Sequence, residues 1–229
     1  MEELGAARTD ATLETMAVRR CGLLNAEGCV AQRGCSWPVG QTTLVYDFGH
    51  LPEDLPEHDV IDAIEQAILI WNDVLSRTRI PLELVRKQEG QEVVHVLFSW
   101  ERHDAEMPAS LIPVAHADFP PACGVLSKTL PRPVHFEEAQ EWTVGVVPGR
   151  LNITAVAVHE IGHILGLVHS SDPGSVMFSS LELNEQPSEA DERELARLYR
   201  AATLSRSARS SAPGAKVPPA PGLGRLLLR

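Results

Sequence analysis

Eleven residues constrain this chain more than any other stretch: His159-Glu160-Ile161-Gly162-His163-Ile164-Leu165-Gly166-Leu167-Val168-His169. In a helix, residues four apart share a face, so His159 and His163 can turn two imidazoles towards one ion. Gly166 lets the chain leave the helix and bring His169 back as a third nitrogen ligand. Three neutral imidazoles on zinc leave the fourth tetrahedral position to water, the arrangement of a catalytic rather than a structural zinc site. Glu160, beside the first ligand, can accept a proton from such a water and pass it to a leaving amine. Histidines on a buried helix can also serve hydrogen bonding alone. That explanation struggles with five fixed positions in eleven. Met177 follows in Gly174-Ser175-Val176-Met177, where a methionine turn underlies sites of this kind.

The rest of the chain suits a single folded unit around that helix. With 229 residues, 44% of them hydrophobic, it can bury a core. The 31 acidic against 20 basic residues give a net charge of −11, which argues against a nucleic-acid or anionic-membrane surface. No apolar run approaches the ~18 residues of a membrane span, and no signal peptide is visible at the start.

Residues 1–35 read as a lead-in with a Cys-containing loop, 36–200 as the folded domain and 201–229 as a disordered tail. Within the domain, Thr42–Tyr46, Leu82–Val85 and Val93–Phe98 have strand character. Asp59 is expected to cap a helix in which Val60, Ile61, Ile64, Ile68, Trp71 and Leu75 form one apolar face, ending near Ser76. The stretch 101–135 is proline-rich and irregular around a strand near Ile112–Ala115. Ile153–Leu167 is a buried helix. Ser188-Glu189-Ala190-Asp191 is a capping box that opens a last helix to about Arg200.

These residues resemble the metzincin clan, and their surroundings narrow the likeness to the matrixins, the matrix metalloproteinase-type peptidases. Ala67-Ile68-Leu69-Ile70-Trp71-Asn72-Asp73-Val74 is similar to the Trp-centred first helix of matrixin catalytic domains. Val114-Ala115-His116-Ala117 resembles their LAHA segment, and Val134-His135-Phe136-Glu137 with Glu141-Trp142-Thr143 resembles HFD…WT. His169-Ser170 with Val176-Met177 resembles HS…LM, and Leu195-Ala196-Arg197-Leu198-Tyr199 the closing helix. The resemblance implies an α+β fold, the metzincin (zincin) catalytic domain, with a mixed, twisted five-stranded sheet and three helices. It implies a zinc-dependent endopeptidase in which His159, His163 and His169 hold the metal and Glu160 is the general base. Protein or peptide would be the substrate and the chain a monomer. A zinc-bearing, non-catalytic binding module on the same fold is the alternative. Ala155, four residues before the first zinc histidine, would line an open specificity pocket that takes a Leu- or Phe-sized side chain.

The departures from the family pattern also carry information. Matrixins hold a second, structural zinc. His116 and His135 stand at two of its positions, while Arg102-His103-Asp104 has the right types with the spacing off by one, so plain loop histidines are the competing reading. Pro108-Ala109-Ser110-Leu111 offers no carboxylate where the family has a calcium loop, and calcium binding is expected to be weak or absent. Arg20-Cys21-Gly22 resembles the family's cysteine switch without its flanking Pro and Asp. Disulfides among Cys21, Cys29, Cys35 and Cys123 are the preferred reading, with three connectivities open. Disulfides and a secreted-type protease point to a secreted or extracytoplasmic location.

Overall fold

A computed structural model describes residues 35–102, 113–124, 126–178 and 184–210, with side chains up to residue 204. Among the described residues the architecture is a five-stranded sheet, a small two-stranded sheet and three helices, the expected α+β arrangement. In chain order the elements are β1 (Thr43–Phe48), α1 (Glu57–Arg77), β2 (Glu83–Arg86), β3 (Val96–Glu101), β4 (Ala115–Ala117), β5 (Arg132–Glu137), β6 (Trp142–Thr143), β7 (Leu151–Asn152), α2 (Ile153–Leu165) and α3 (Glu189–Ser210). The large sheet runs β2-β1-β3-β5-β4. Its first four strands pair in parallel, and only β4 lies antiparallel, on β5.

The apolar stripe of α1 is buried: Val60, Ile64, Ala67, Ile68, Trp71, Val74 and Leu75 are all closed to solvent, while Leu69 on the far side is exposed. Two polar groups fix the packing of that helix. The Trp71 indole N–H donates to Val158 O at 2.7 Å, tying α1 to α2. The Asn72 amide bridges Leu84 N and Leu84 O, both at 2.9 Å, and so holds α1 to β2. Under the sheet, Trp100 stacks on Phe136 at 4.2 Å, with Trp142 edge-on to both. Helix α2 is buried along its whole length, because it packs against α1 on one side and β4 and β5 on another.

Several boundaries differ from those read in the sequence. Helix α1 starts at Glu57 with Pro56 as its N-cap and no side-chain cap, so Asp59 lies inside the first turn, where its charge still suits the helix dipole. Strand β3 lies three residues later than expected, since its place is fixed by pairing with β1 and β5 on both flanks. Strand β4 begins at Ala115. Helix α3 runs to Ser210 rather than ending near Arg200, so 201–210 is helical backbone and not tail. Cys35 and Cys123 form a disulfide, whereas Cys21, Cys29, His103, Asp104, Pro108–Leu111 and residues 211–229 lie outside the described residues.

Candidate metal centre

Asn152 sets where α2 begins: its side-chain oxygen accepts from Thr154 N at 2.9 Å and from Ala155 N, as a capping Asn does. Gly166 ends it at φ 105°, and Cys35 O lies 1.6 Å from where a Cβ on that glycine would stand. Only glycine fits both demands. Over the intervening helix, His159 and His163 face the same way, and His169 returns to meet them. One ring nitrogen from each histidine lies within 4.8 Å of the other two. The ring centroids are 4.9–5.3 Å apart.

The backbone decides which nitrogens face inward. His159 Nδ1 lies 2.7 Å from Val176 O, and His163 Nδ1 lies 2.8 Å from Leu167 O. A carbonyl only accepts, so each Nδ1 carries its hydrogen and each Nε2 keeps a lone pair. His159 Nε2 and His169 Nε2 are buried with no hydrogen-bond partner among the described residues. Leaving such atoms orphaned is costly, and a divalent ion satisfies them. Burial also holds all three imidazoles neutral, the form that ligates. His159 is pushed down to about 3, chiefly by desolvation and then by His169; His163 lies well below its usual value for the same first reason, and His169 is lowered by burial. The donor set fits zinc.

Beneath the triad, the turn through Met177 is pinned from several sides. Ser170 N donates to Met177 O at 2.8 Å. Met177 Sδ is only 2.3 Å from where a Cβ on Gly162 would be, so the glycine between the two helical histidines makes room for this thioether. Asp191, buried at the start of α3, accepts from Val176 N at 3.1 Å and from Ser188 N at 2.8 Å, and the Ser175 hydroxyl donates to its other oxygen. The capping-box carboxylate therefore also holds the carbonyl-bearing turn that orients His159. From the opposite side, Phe119 packs edge-on to His163 at 5.4 Å. The buried Arg132 fixes that loop by pairing with Asp118 at 2.9 Å and donating to Phe119 O at 2.9 Å.

Glu160 follows His159 on the same helical turn and is fully buried. Ala155 lies one turn before His159 and is nearly closed to solvent. His116 and His135 meet elsewhere, across β4 and β5, with His116 Nε2 3.1 Å from His135 Nδ1 and Glu101 Oε1 3.2 Å from His135 Nε2. The supporting roles of Asn152, Asp191, Arg132 and Phe119 are not read in the sequence. The capping signals at Asn152 and Ser188–Asp191 were available there, but nothing local marks the Arg132–Asp118 pair.

The Matrixin family model matches residues 36–200. Over 196 residues the chain is 31% identical to stromelysin-2 of Rattus norvegicus, covering 82% of this chain and 38% of that protein. Over 170 residues it is 34% identical to interstitial collagenase of Oryctolagus cuniculus, covering 73% of this chain and 33% of that protein. The chain thus spans about a third of the length of the curated relatives it matches.

Proposed function

The chain belongs to the matrixin family, and from that premise we propose that it is a zinc-dependent endopeptidase cutting peptide bonds in proteins. The observation that carries the reading is the convergence of His159, His163 and His169, two of them with Nδ1–H committed to backbone carbonyls. Bound there, zinc would lower the pKa of its water towards neutrality and polarise the scissile carbonyl. Glu160 takes up the released proton at its carboxylate and delivers it to the departing amine nitrogen. Val176 O and Leu167 O keep the imidazoles from swinging, so the open position is held in one place. The small side chain of Ala155, one turn before His159, suits a specificity pocket that takes a Leu- or Phe-sized substrate side chain. The Cys35–Cys123 disulfide supports an extracytoplasmic location.

A second, structural zinc at His116 and His135 is part of the same proposal. Two ring nitrogens at 3.1 Å can converge on one ion, with Glu101 behind His135 to orient it. His103 and Asp104 would complete the set.

Hydrolysis of a quenched fluorescent peptide, with zinc content read in parallel, tests the reading. We expect turnover that a chelator abolishes and that Glu160→Gln lowers by roughly 10²–10⁴-fold while keeping zinc. Turnover indifferent to the chelator or to Glu160→Gln would overturn the mechanism. Bound zinc with no turnover in the unaltered chain would favour the non-catalytic binding module. A zinc content of two per chain, falling to one in His135→Ala, is expected for the structural ion.

A further inference from the structure

Away from the histidines, a groove of about 310 Å³ lies between the segment entering β1, the turn after α1 and the outer part of α3. Ile80, Leu82, Pro81 and Leu204 give it apolar walls, and Leu204 is 71% exposed. The walls are pre-built. The Trp37 indole donates to Ile164 O at 2.8 Å and Tyr199 OH donates to Leu165 O at 3.1 Å, so both rings are anchored on the end of α2. The turn at Thr78–Ile80 is locked by its own backbone hydrogen bonds.

Its charge is opposite to that of the molecule. In a chain with 31 acidic residues and net charge −11, no carboxylate lines this groove, while Arg79 and Arg200 do. Neighbouring arginines are spoken for: Arg77 pairs with Asp73 and Glu192, Arg193 with Glu189, and Arg197 with Glu194. Arg79 and Arg200 have no such acidic partner among the described residues. Rigid aromatic and Arg side chains around an apolar slot are what binding hot spots are made of, and pre-organised walls spare the ordering cost of association.

We propose that this groove docks an acidic peptide segment of a partner protein, with aliphatic or aromatic anchors in the slot and carboxylates on Arg79 and Arg200. The chain's own last residues fit it poorly, since 205–229 contain no Asp or Glu but four Arg and one Lys.

The test is fluorescence anisotropy of a labelled peptide, Glu-Leu-Glu-Phe-Leu-Glu-Glu, against the full zinc-loaded chain carrying Glu160→Gln so that the probe is not cut. A control peptide has Lys at every Glu. The acidic peptide is expected to bind, less tightly as salt rises, and the Lys peptide not to bind. Arg79→Gly with Arg200→Ala should weaken binding about tenfold, and Leu204→Glu on the rim should weaken it comparably. Equal binding of both peptides, no binding of either, or indifference to these substitutions would overturn the proposal. So would self-association of the chain that Leu204→Glu dissolves, or displacement of the probe by a peptide of residues 1–34. Those two results would assign the groove to a second copy or to the chain's own leading residues. Because the readout is binding, failure here leaves the protease reading standing.

Discussion

At the scale of single residues, Gly162 shows how closely α2 and the Met177 turn are fitted. Alanine there would gain about 1 kcal/mol of helix propensity. It would also place a Cβ 2.3 Å from Met177 Sδ and 3.3 Å from Trp71 Cζ2, both fully buried. Overpacking of that kind costs about 1–3 kcal/mol, and the side chains have no solvent to retreat into. Gly162→Ala should therefore lower the chemical-denaturation midpoint and loosen zinc, because the displaced turn carries Val176 O. A midpoint that rises would show that the thioether moves aside freely. The histidines give a second prediction. Their folded pKa values lie below the ordinary 6.5, so as pH falls through about 6.5 the unfolded chain binds protons that the folded one cannot. Stability of the metal-free protein should then fall with acidification by about 1.4 kcal/mol per pH unit for each of His159 and His163. Circular dichroism with chelator from pH 7.5 to 4 checks this, and a flat profile would contradict the buried, neutral triad. The convergence of His159, His163 and His169 was legible in the sequence because a four-residue spacing is a local signal. Their orienting partners were not: Val176 O and Leu167 O are backbone atoms, and Asp191 serves a turn 14 to 16 residues before it in the chain.

At the scale of elements, the helix ends carry the testable energetics. Helix α1 closes in a Schellman turn, with Ile80 N donating to Leu75 O at 3.0 Å and Arg79 N to Ser76 O at 3.1 Å. This puts Arg79 at φ 58°, a left-handed conformation that costs an L-residue about 1–2 kcal/mol. Arg79→Gly relieves most of that, and since glycine also has a more flexible unfolded state, a net gain of about 1 kcal/mol is expected in urea denaturation. A loss would mean that the guanidinium contributes more to the fold than its lack of an ion-pair partner implies. The start of α2 should behave oppositely. Asn152 caps its first turn and donates from its amide nitrogen to Glu185 Oε1 at 2.7 Å. Asn152→Asp keeps the cap acceptor but sets a second carboxylate against Glu185, so it should be less stable than the parent at pH 7. Stability equal to the parent's at pH 7 would remove the Glu185 contact from the account. The sequence revealed the three helices, because periodic apolar faces such as that of α1 survive any register, but no strand is read at β5, β6 or β7, and β5 begins inside the stretch read as irregular. It placed ends less well. Strand β3 is set by two neighbours that are distant in the chain, and nothing after Arg200 breaks α3 until Pro213.

At the scale of the whole molecule, the start of the described chain is fastened to the end of α2 and to the loop that carries Cys123. Cys35 N donates to Gly166 O at 3.3 Å, its carbonyl fills the space a side chain at Gly166 would need, and its sulfur is bonded to Cys123. Cys123 belongs to the loop that Arg132 organises and that brings Phe119 against His163. The four-cysteine count predicted disulfides but could not choose this pair, since proximity across 88 residues is a property of the fold. In the loop-entropy picture a link of that span restricts the unfolded chain by about 4–5 kcal/mol, comparable to much of a domain's net stability. The double variant Cys35→Ser, Cys123→Ser should therefore unfold at markedly lower denaturant than the parent. Zinc should offset part of the loss, because an ion that binds only the folded state stabilises it by mass action. The decisive comparison is the denaturation midpoint of parent and double variant, each with zinc and with chelator. A large drop in chelator, partly recovered with zinc, assigns the disulfide and the metal to the same task of holding α2 between its two flanks. If the midpoint does not move when the cysteines are replaced, the hydrogen bonds and ion pair of Arg132 and Asp118 suffice to hold the loop around Phe119, and the covalent link is dispensable to the fold.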